Sequence, residues 1–271
     1  MTGKLSKFLL LNGVEAPYQP FSEFLGRSAG LFETMRFINS SNGFFCRGFR
    51  LHQQRFAAGL SALQLGSPGT ELLCSATAAA LRRLAGEAQV DFKVRWFVTG
   101  DSWGITAEPY TDAWGSATNT GIKTVLFRGQ RARPELKLLD AATSLAAAQY
   151  AEEQYAHEAL LVDGSGNLTE GAWSSFFWVD GGERVYTAAN NVLPGVSRQL
   201  VLNALHAAQR DSSAEEVLRD AKEAFITQAT RGVVPVTEIA GKMIAHGRPG
   251  RMSMKAKQAY LRTGQAEDAW L

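Results

Sequence analysis

The stretch "LLVDGSGNLTEGAWSSFFWV", residues 160–179, constrains this chain more than any other. Two apolar runs, Leu160–Val162 and Phe176–Val179, read as buried strands, and the Gly-rich segment after the first forces a tight turn. Between the turn and the second run stands Thr169-Glu170-Gly171. An acid placed where the chain is about to enter a core is either solvated or aimed at something positive.

A length of 271 residues is enough for a sizeable core and two lobes. The net charge of +2 is small and the Lys and Arg residues are scattered, which argues against a dedicated nucleic-acid or membrane surface. Cys46 and Cys74 lie far apart in apolar contexts and form no CxxC pair. A zinc or redox site is therefore not expected, and the chain suits a reducing compartment. The N-terminal apolar run is four residues long and ends in Asn12-Gly13, too short for a signal or a membrane span. It reads as a first strand and hairpin turn, and a cytoplasmic protein is expected.

The first part reads as strand-rich α+β. Phe8–Leu11, Asn12-Gly13 and Val14–Ala16 form a hairpin signal, and "LFETMRFINSSNGFFC" a second hairpin turning at Ser41–Gly43. Leu51, Phe56, Leu60 and Leu63 follow helical spacing, and "ELLCSATAAALRRLAGE" is a second helix. "DFKVRWFVTG" alternates as a strand, with Lys93, Arg95 and Phe97 on one face and Val94, Trp96 and Val98 on the other. Residues 108–121 are polar and breaker-rich, so the boundary is placed there: a small lobe over 1–115, a linker over 116–121 and a large lobe over 122–271. The second part opens with the strand Ile122–Phe127, has a helix at about 143–153, and closes on a hairpin and a terminal helix.

Several residues could carry chemistry. Lys137, between Leu136 and Leu138, is by its window alone a solvated lysine before a helix; inside an apolar site the same amine would become a usable nucleophile or base. "NNVLPGVSRQLVLNAL" breaks at Pro194-Gly195 and then starts a regular helix. The free backbone N–H groups at such a start make a ready phosphate site, although a plain capped helix is more common. Thr230 ends a strand, again compatible with a hydroxyl donor near an anion.

Taken in order, these pieces resemble the class IV (fold-type IV) pyridoxal-phosphate enzymes, a family that includes D-amino-acid and branched-chain transaminases and aminodeoxychorismate lyase. "HEALLVDGSGNLTEGAWSSFFWV" is similar to the family's signature around its glutamate. "LFETMRF", "HQQRFAAGLSAL", "VLPGVSRQLVL" and "TRGVVPVTEIAG" match further family segments, in family order along nearly the whole chain. The resemblance implies a two-lobed α/β fold and a homodimer, with no metal, acting on an amino acid and a 2-oxo acid through pyridoxal 5'-phosphate. It implies that Lys137 carries the cofactor and shuttles the substrate's α-proton, and that Glu170 pairs with the pyridine nitrogen. Arg55, the N–H groups of Val196 and Ser197 and the Thr230 hydroxyl would hold the phosphate.

The departures concern the substrate side. Asp140 and Ala141 stand where many members have Asn and Tyr, Ser174-Ser175 replaces the usual Ser-Asn, and Arg27 replaces a Tyr. Some D-specific members resemble this chain in having arginines matching Arg27 and Arg95. These are therefore the expected carboxylate anchors, with a structural ion pair to Glu33 or Asp101 as the competing role. The expected activity is amino transfer with D-amino acids favoured. The alternatives are aminodeoxychorismate lyase, which releases pyruvate and 4-aminobenzoate, and an L-branched-chain transaminase. A non-catalytic protein with a decayed site is a further reading, opposed by the joint retention of Lys137, Glu170 and Arg55.

Overall fold

The computed structural model describes residues 7–26, 29–41, 43–66, 68–85, 90–100 and 102–263. Within them the chain forms two compact units. The first runs to Thr111 and takes in Leu136–Asp140; the second holds Asp112–Glu135 and Ala141–Thr263.

The first unit contains β1 (Phe8–Leu11), β2 (Val14–Glu15), β3 (Gly30–Ser40), β4 (Gly43–Cys46), α1 (Phe49–Leu63), α2 (Gly69–Ala85), β5 (Phe92–Thr99) and β6 (Trp103–Pro109). Its six strands form an antiparallel sheet in the order β2-β1-β6-β5-β3-β4. The two helices cover one face. Alternation along β5 sends Val94, Trp96 and Val98 into that core with Phe49, Phe56 and Leu60 of α1 and Leu73 and Leu81 of α2. Trp96 is fully buried, edge-on to Phe49 and Phe56, and its Nε1 donates to Thr77 Oγ1 at 2.8 Å. Truncating such a residue to alanine costs about 3–5 kcal/mol.

β6 lies in a segment to which the sequence reading gave no element. It pairs β5 on one side and β1 on the other. Trp103, Ile105 and Ala107 alternate into the core, and Gly104, on the opposite face, is a packing requirement. A Cβ there would stand 2.4 Å from the Phe97 ring and 2.6 Å from the Leu10 carbonyl oxygen.

The second unit contains α3 (Ala117–Thr120), β7 (Ile122–Arg128), α4 (Ala142–Glu153), β8 (Glu158–Val162), β9 (Leu168–Gly171), β10 (Ser175–Val179) and β11 (Val185–Thr187). It continues with α5 (Val196–Leu205), β12 (Ala208–Gln209), α6 (Ala214–Asp220), β13 (Glu223–Gln228), β14 (Gly232–Ile239), β15 (Lys242–Met243) and α7 (Arg251–Arg262). Strands β10, β13, β14, β7, β8 and β9 pair in succession, and β9 pairs back to β10, so six strands close a ring. Closure satisfies backbone groups that an open edge would expose.

Two further differences from the sequence reading have local causes. Residues 116–121, expected as a linker, contain the helical turn α3 and belong to the second unit. Their polar groups are spent internally: Thr118 Oγ1 donates to Asp112 at 2.5 Å, and Lys257 donates to the Thr118 carbonyl at 3.2 Å. Leu136–Asp140, expected in the large lobe, packs in the first unit.

Candidate active site

In the first unit, β4 pairs only with the Phe37–Ser40 end of β3. The rest of that edge receives Leu136–Asp140. Leu138 bridges Leu31, Phe32 N–H donates to the Lys137 carbonyl at 2.9 Å, and Leu139 N–H donates to the Gly30 carbonyl at 2.9 Å. The close approach depends on Gly30, where a Cβ would stand 2.5 Å from Leu139 Cδ1. Lys137 is thus held by its own backbone, half-buried, with Nζ 4.5 Å above the ring of Phe32.

Arg55 lies on α1, one turn after His52, which occupies the helix's buried stripe with Phe49 and Phe56. Both reach Glu33 on β3. Arg55 Nε donates to Glu33 Oε2 at 2.9 Å and Nη2 to Oε1 at 2.5 Å. His52 Nδ1 lies 3.0 Å from Oε1, which also accepts the Thr34 N–H at 3.0 Å. Glu33 has no exposed surface. Burial alone would raise its pKa, but the charge of Arg55 and the hydrogen bonds from His52 and Arg55 overcome this and hold the carboxyl well below the usual carboxylate range. Burial lowers the His52 pKa against the pull of Glu33, and the charges of Arg55 and Lys137 add to the lowering, so the imidazole is neutral at pH 7.

Arg95 pairs across the strands with Thr34, so its side chain leaves the sheet on the face opposite Glu33. There it donates to Glu108 at 2.9 Å. Lys93 and Tyr18 also hold Glu108, at 2.9 and 2.8 Å. Burial works against ionisation of Glu108, yet the hydrogen bonds of Lys93 and Tyr18 and the charges of Lys93 and Arg95 bring it down to about 2. The Arg95 guanidinium stacks 4.7 Å from Phe21, whose ring is 5.1 Å from Phe32, the ring under Lys137. The acid paired with Arg95 is therefore Glu108, not Glu33. Arg27 and Asp101 lie outside the described residues.

In the second unit, Glu170 ends β9 opposite Ser175 of β10 and is 5% exposed. Its Oε1 accepts from Arg131 Nε at 2.8 Å and its Oε2 from the Leu193 N–H at 3.0 Å. The acid that raised the question in the sequence is therefore aimed at a cation and buried. Leu193 leads into α5, whose N-cap is Gly195 with no side-chain cap. Val196 and Ser197, in its first turn, are both buried. Ser197 Oγ lies 3.5 Å from Tyr260 Oη, and Tyr260 packs against Gly232, two residues after Thr230. The unit thus gathers Glu170 with the start of α5, and α5 with the Thr230 turn. The Thr230 hydroxyl donates to Gln228 at 3.1 Å.

Sequence reasoning gave Glu33 only as a competing ion-pair partner of Arg27 or Arg95, and assigned no role to His52, Arg131 or Tyr260. Only Glu33 and His52 left a signal, being inside the quoted "LFETMRF" and "HQQRFAAGLSAL" segments. Glu158, at the start of β8, is a second buried acid in this unit, taking the Ser174 hydroxyl at 2.9 Å and the Ala159 N–H at 3.1 Å. Burial pushes it up to about 7 in spite of these bonds. Among the described residues no group of three or more His, Cys, Asp or Glu is placed to hold a metal ion, and no helix is long and apolar enough to cross a membrane.

The profile of the family described as "Amino-transferase class IV" matches residues 30–239. The D-alanine aminotransferase of Bacillus licheniformis is 33% identical over 144 residues, covering 51% of this chain and 50% of that protein. The match thus spans about half the length of that relative. The branched-chain-amino-acid aminotransferase of Salmonella typhimurium is 24% identical over 304 aligned positions, covering 100% of this chain and 97% of that protein. The crystal structure of Escherichia coli branched-chain amino acid aminotransferase superposes with a TM-score of 0.83 at 19% identity, covering 96% of this chain and 95% of that one. At that identity the likeness establishes the shared fold.

Proposed function

The chain belongs to the class IV amino-transferase family, and from that premise we propose that it moves an amino group between an amino acid, with D-amino acids favoured, and a 2-oxo acid. Class IV amino-transferases use pyridoxal 5'-phosphate, and the donors present fit that group. The first unit supplies an amine on a pinned backbone and an arginine whose plane is fixed by Glu33. The second supplies an uncapped helix start, buried hydroxyls and a buried carboxylate. Bound by these residues, the cofactor supplies an electron sink for the charge left when an α-proton departs.

The chain's own residues then divide the work. Arg55, the first N–H groups of α5, Ser197 and Thr230 bind the phosphate. Glu170, buried and already ionically paired with Arg131, would accept a hydrogen bond from the ring nitrogen. Lys137 Nζ takes the α-proton and returns it. Arg27 and Arg95 grip the substrate carboxylate. Amino acid and 2-oxo acid exchange in two half-reactions, and a homodimer is the working assembly.

The observation that carries this reading is the lysine itself. Lys137 is held on the edge of β3, in the same unit as the Arg55 cluster, within a chain that matches the family over most of its length. The D preference is supported by the 33% identity to D-alanine aminotransferase over 51% of this chain. Replacing Lys137 by alanine should lower amino transfer by about a thousandfold or more while the circular dichroism spectrum is unchanged. Near-wild-type turnover in that variant would remove the assignment. D-alanine, D-glutamate and L-leucine, each tested with 2-oxoglutarate, establish the preferred enantiomer. Pyruvate release from aminodeoxychorismate as the faster reaction would replace transfer by lysis.

A further inference from the structure

Glu33 presents a physical puzzle. If Arg55 serves to attract an anion, a carboxylate on the same guanidinium works against it. With His52 neutral, the Glu33–Arg55 pair carries no net charge, where Arg55 alone would carry one positive charge. Burying that carboxylate completely is also costly unless it is paired and hydrogen-bonded. What it provides is geometry. Two bonds run from one edge of the Arg55 fork to the two oxygens of Glu33, and this fixes both the plane and the rotation of the guanidinium. Glu33 is in turn held by its neighbour's Thr34 N–H and by His52. His52 is itself locked in the buried stripe of α1, three residues before Arg55. The plane in which the remaining guanidinium donors lie is thereby set by Glu33.

We infer that Glu33, backed by His52, is a positioning residue that aims Arg55 at the phosphate ester of the cofactor. The inference rests on the proposed role of Arg55 as a phosphate clamp. A long arginine chain loses rotamer entropy whenever it binds an anion, and a prefixed fork has lost it during folding instead. Simple charge counting gives the opposite expectation, since removing a carboxylate should tighten an anion at Arg55.

The full chain, stripped of cofactor, is titrated with pyridoxal 5'-phosphate and separately with pyridoxal, which lacks only the phosphate, with tryptophan fluorescence as the readout. Glu33→Gln keeps the side chain's shape and removes its charge. It should weaken the phosphate ester about tenfold or more and leave pyridoxal within about twofold. Arg55→Ala should show the same selective loss, and Glu33→Gln/Arg55→Ala should bind no more weakly than Arg55→Ala alone. Equal losses for both compounds in Glu33→Gln, or tighter binding of the ester, overturns the positioning role while leaving the clamp intact. An Arg55→Ala variant with unchanged selectivity overturns the clamp reading and the inference with it. If Glu33→Gln does not fold, His52→Asn is the second variant: it disturbs the support of Glu33 but leaves the fork's charge. It should lose selectivity for the ester by a smaller factor, and unchanged selectivity there overturns the inference.

Discussion

Each unit buries a glutamate on a strand, and the two are held in opposite ways. Glu33 on β3 is 0% exposed and Glu158 on β8 is 3% exposed, so burial hardly distinguishes them. Their partners do. Glu33 has the two-pronged guanidinium of Arg55, a histidine nitrogen and one N–H. Glu158 has the Ser174 hydroxyl and backbone N–H groups, with the charge of Arg231 as its weakest help. A neutral hydrogen bond contributes about 0.5–1.5 kcal/mol net, whereas desolvating an ionised carboxylate costs several. Neutral donors cannot close that gap and a cation in contact can. The first acid therefore stays ionised, and the second is pushed up to about 7. The partner's formal charge, not depth, decides what a buried acid does at neutral pH.

The comparison is tested most severely at Glu33. Glu33→Ala strands Arg55 and His52 in a buried site, and should cost about 3–5 kcal/mol of stability at pH 7 in urea unfolding. A loss below about 1 kcal/mol would mean that water reaches the cluster and that the pair is an ordinary surface bridge.

The next effect is in pH. Between the ordinary carboxyl value of 4.5 and about 7, folded Glu158 holds a proton that the unfolded chain releases. Its contribution is fully present below 4.5, is lost as pH rises through 7, and amounts to roughly 3 kcal/mol. Glu33 has the opposite sign: its contribution is present above the usual carboxylate range and is lost as pH falls below it. Glu158→Gln should flatten the decline between pH 5 and 8 and raise the melting temperature at pH 8 relative to wild type. The same slope in both proteins assigns the titration to another group.

Glu170 extends the comparison, being a buried acid with a cationic partner, Arg131. Glu170→Gln should slow the first half-reaction by about a hundredfold, the loss of one charged hydrogen bond of roughly 2–3 kcal/mol. An unchanged rate in single-turnover kinetics would leave it with a structural role only. The smallest effect is expected at Arg95, where Glu108 already competes for the guanidinium. Arg95→Ala should raise KM for the amino acid about tenfold, ~1.4 kcal/mol, and leave an uncharged amine of matched size unaffected. Equal losses for both substrates would place Arg95 in the scaffold with Glu108.

Elements with strong local patterns were legible in the chain. The Asn12-Gly13 hairpin, the alternation of β5 and the spacing of α1 each follow from a period that a few residues display. β6 was missed although Trp103, Ile105 and Ala107 alternate into the core; Gly104, on the other face, is required by a ring that belongs to another strand. α6 was missed although Ser213 and Glu216 spell its cap, with Ser213 Oγ accepting the Glu216 N–H at 3.0 Å. At the candidate site, Lys137, Arg55, Glu170, Ser197 and Thr230 were each named from motifs. The identity of their partners, Glu33, Arg131 and Tyr260, was not.

By itself the sequence determined the family and the elements with strong local periods, and it named the residues proposed to hold a phosphate and an amine, because those are written in segments of about ten residues or fewer. Only the tertiary structure decided that Leu136–Asp140 joins the edge of β3, that Arg55 is forked onto Glu33, and that Arg95 meets Glu108. The physical reason is separation along the chain. Arg55 and Glu33 are 22 residues apart, and Arg131 and Glu170 are 39 apart. Charge pairing at such distances depends on which faces the sheets bring together, and no local period records it.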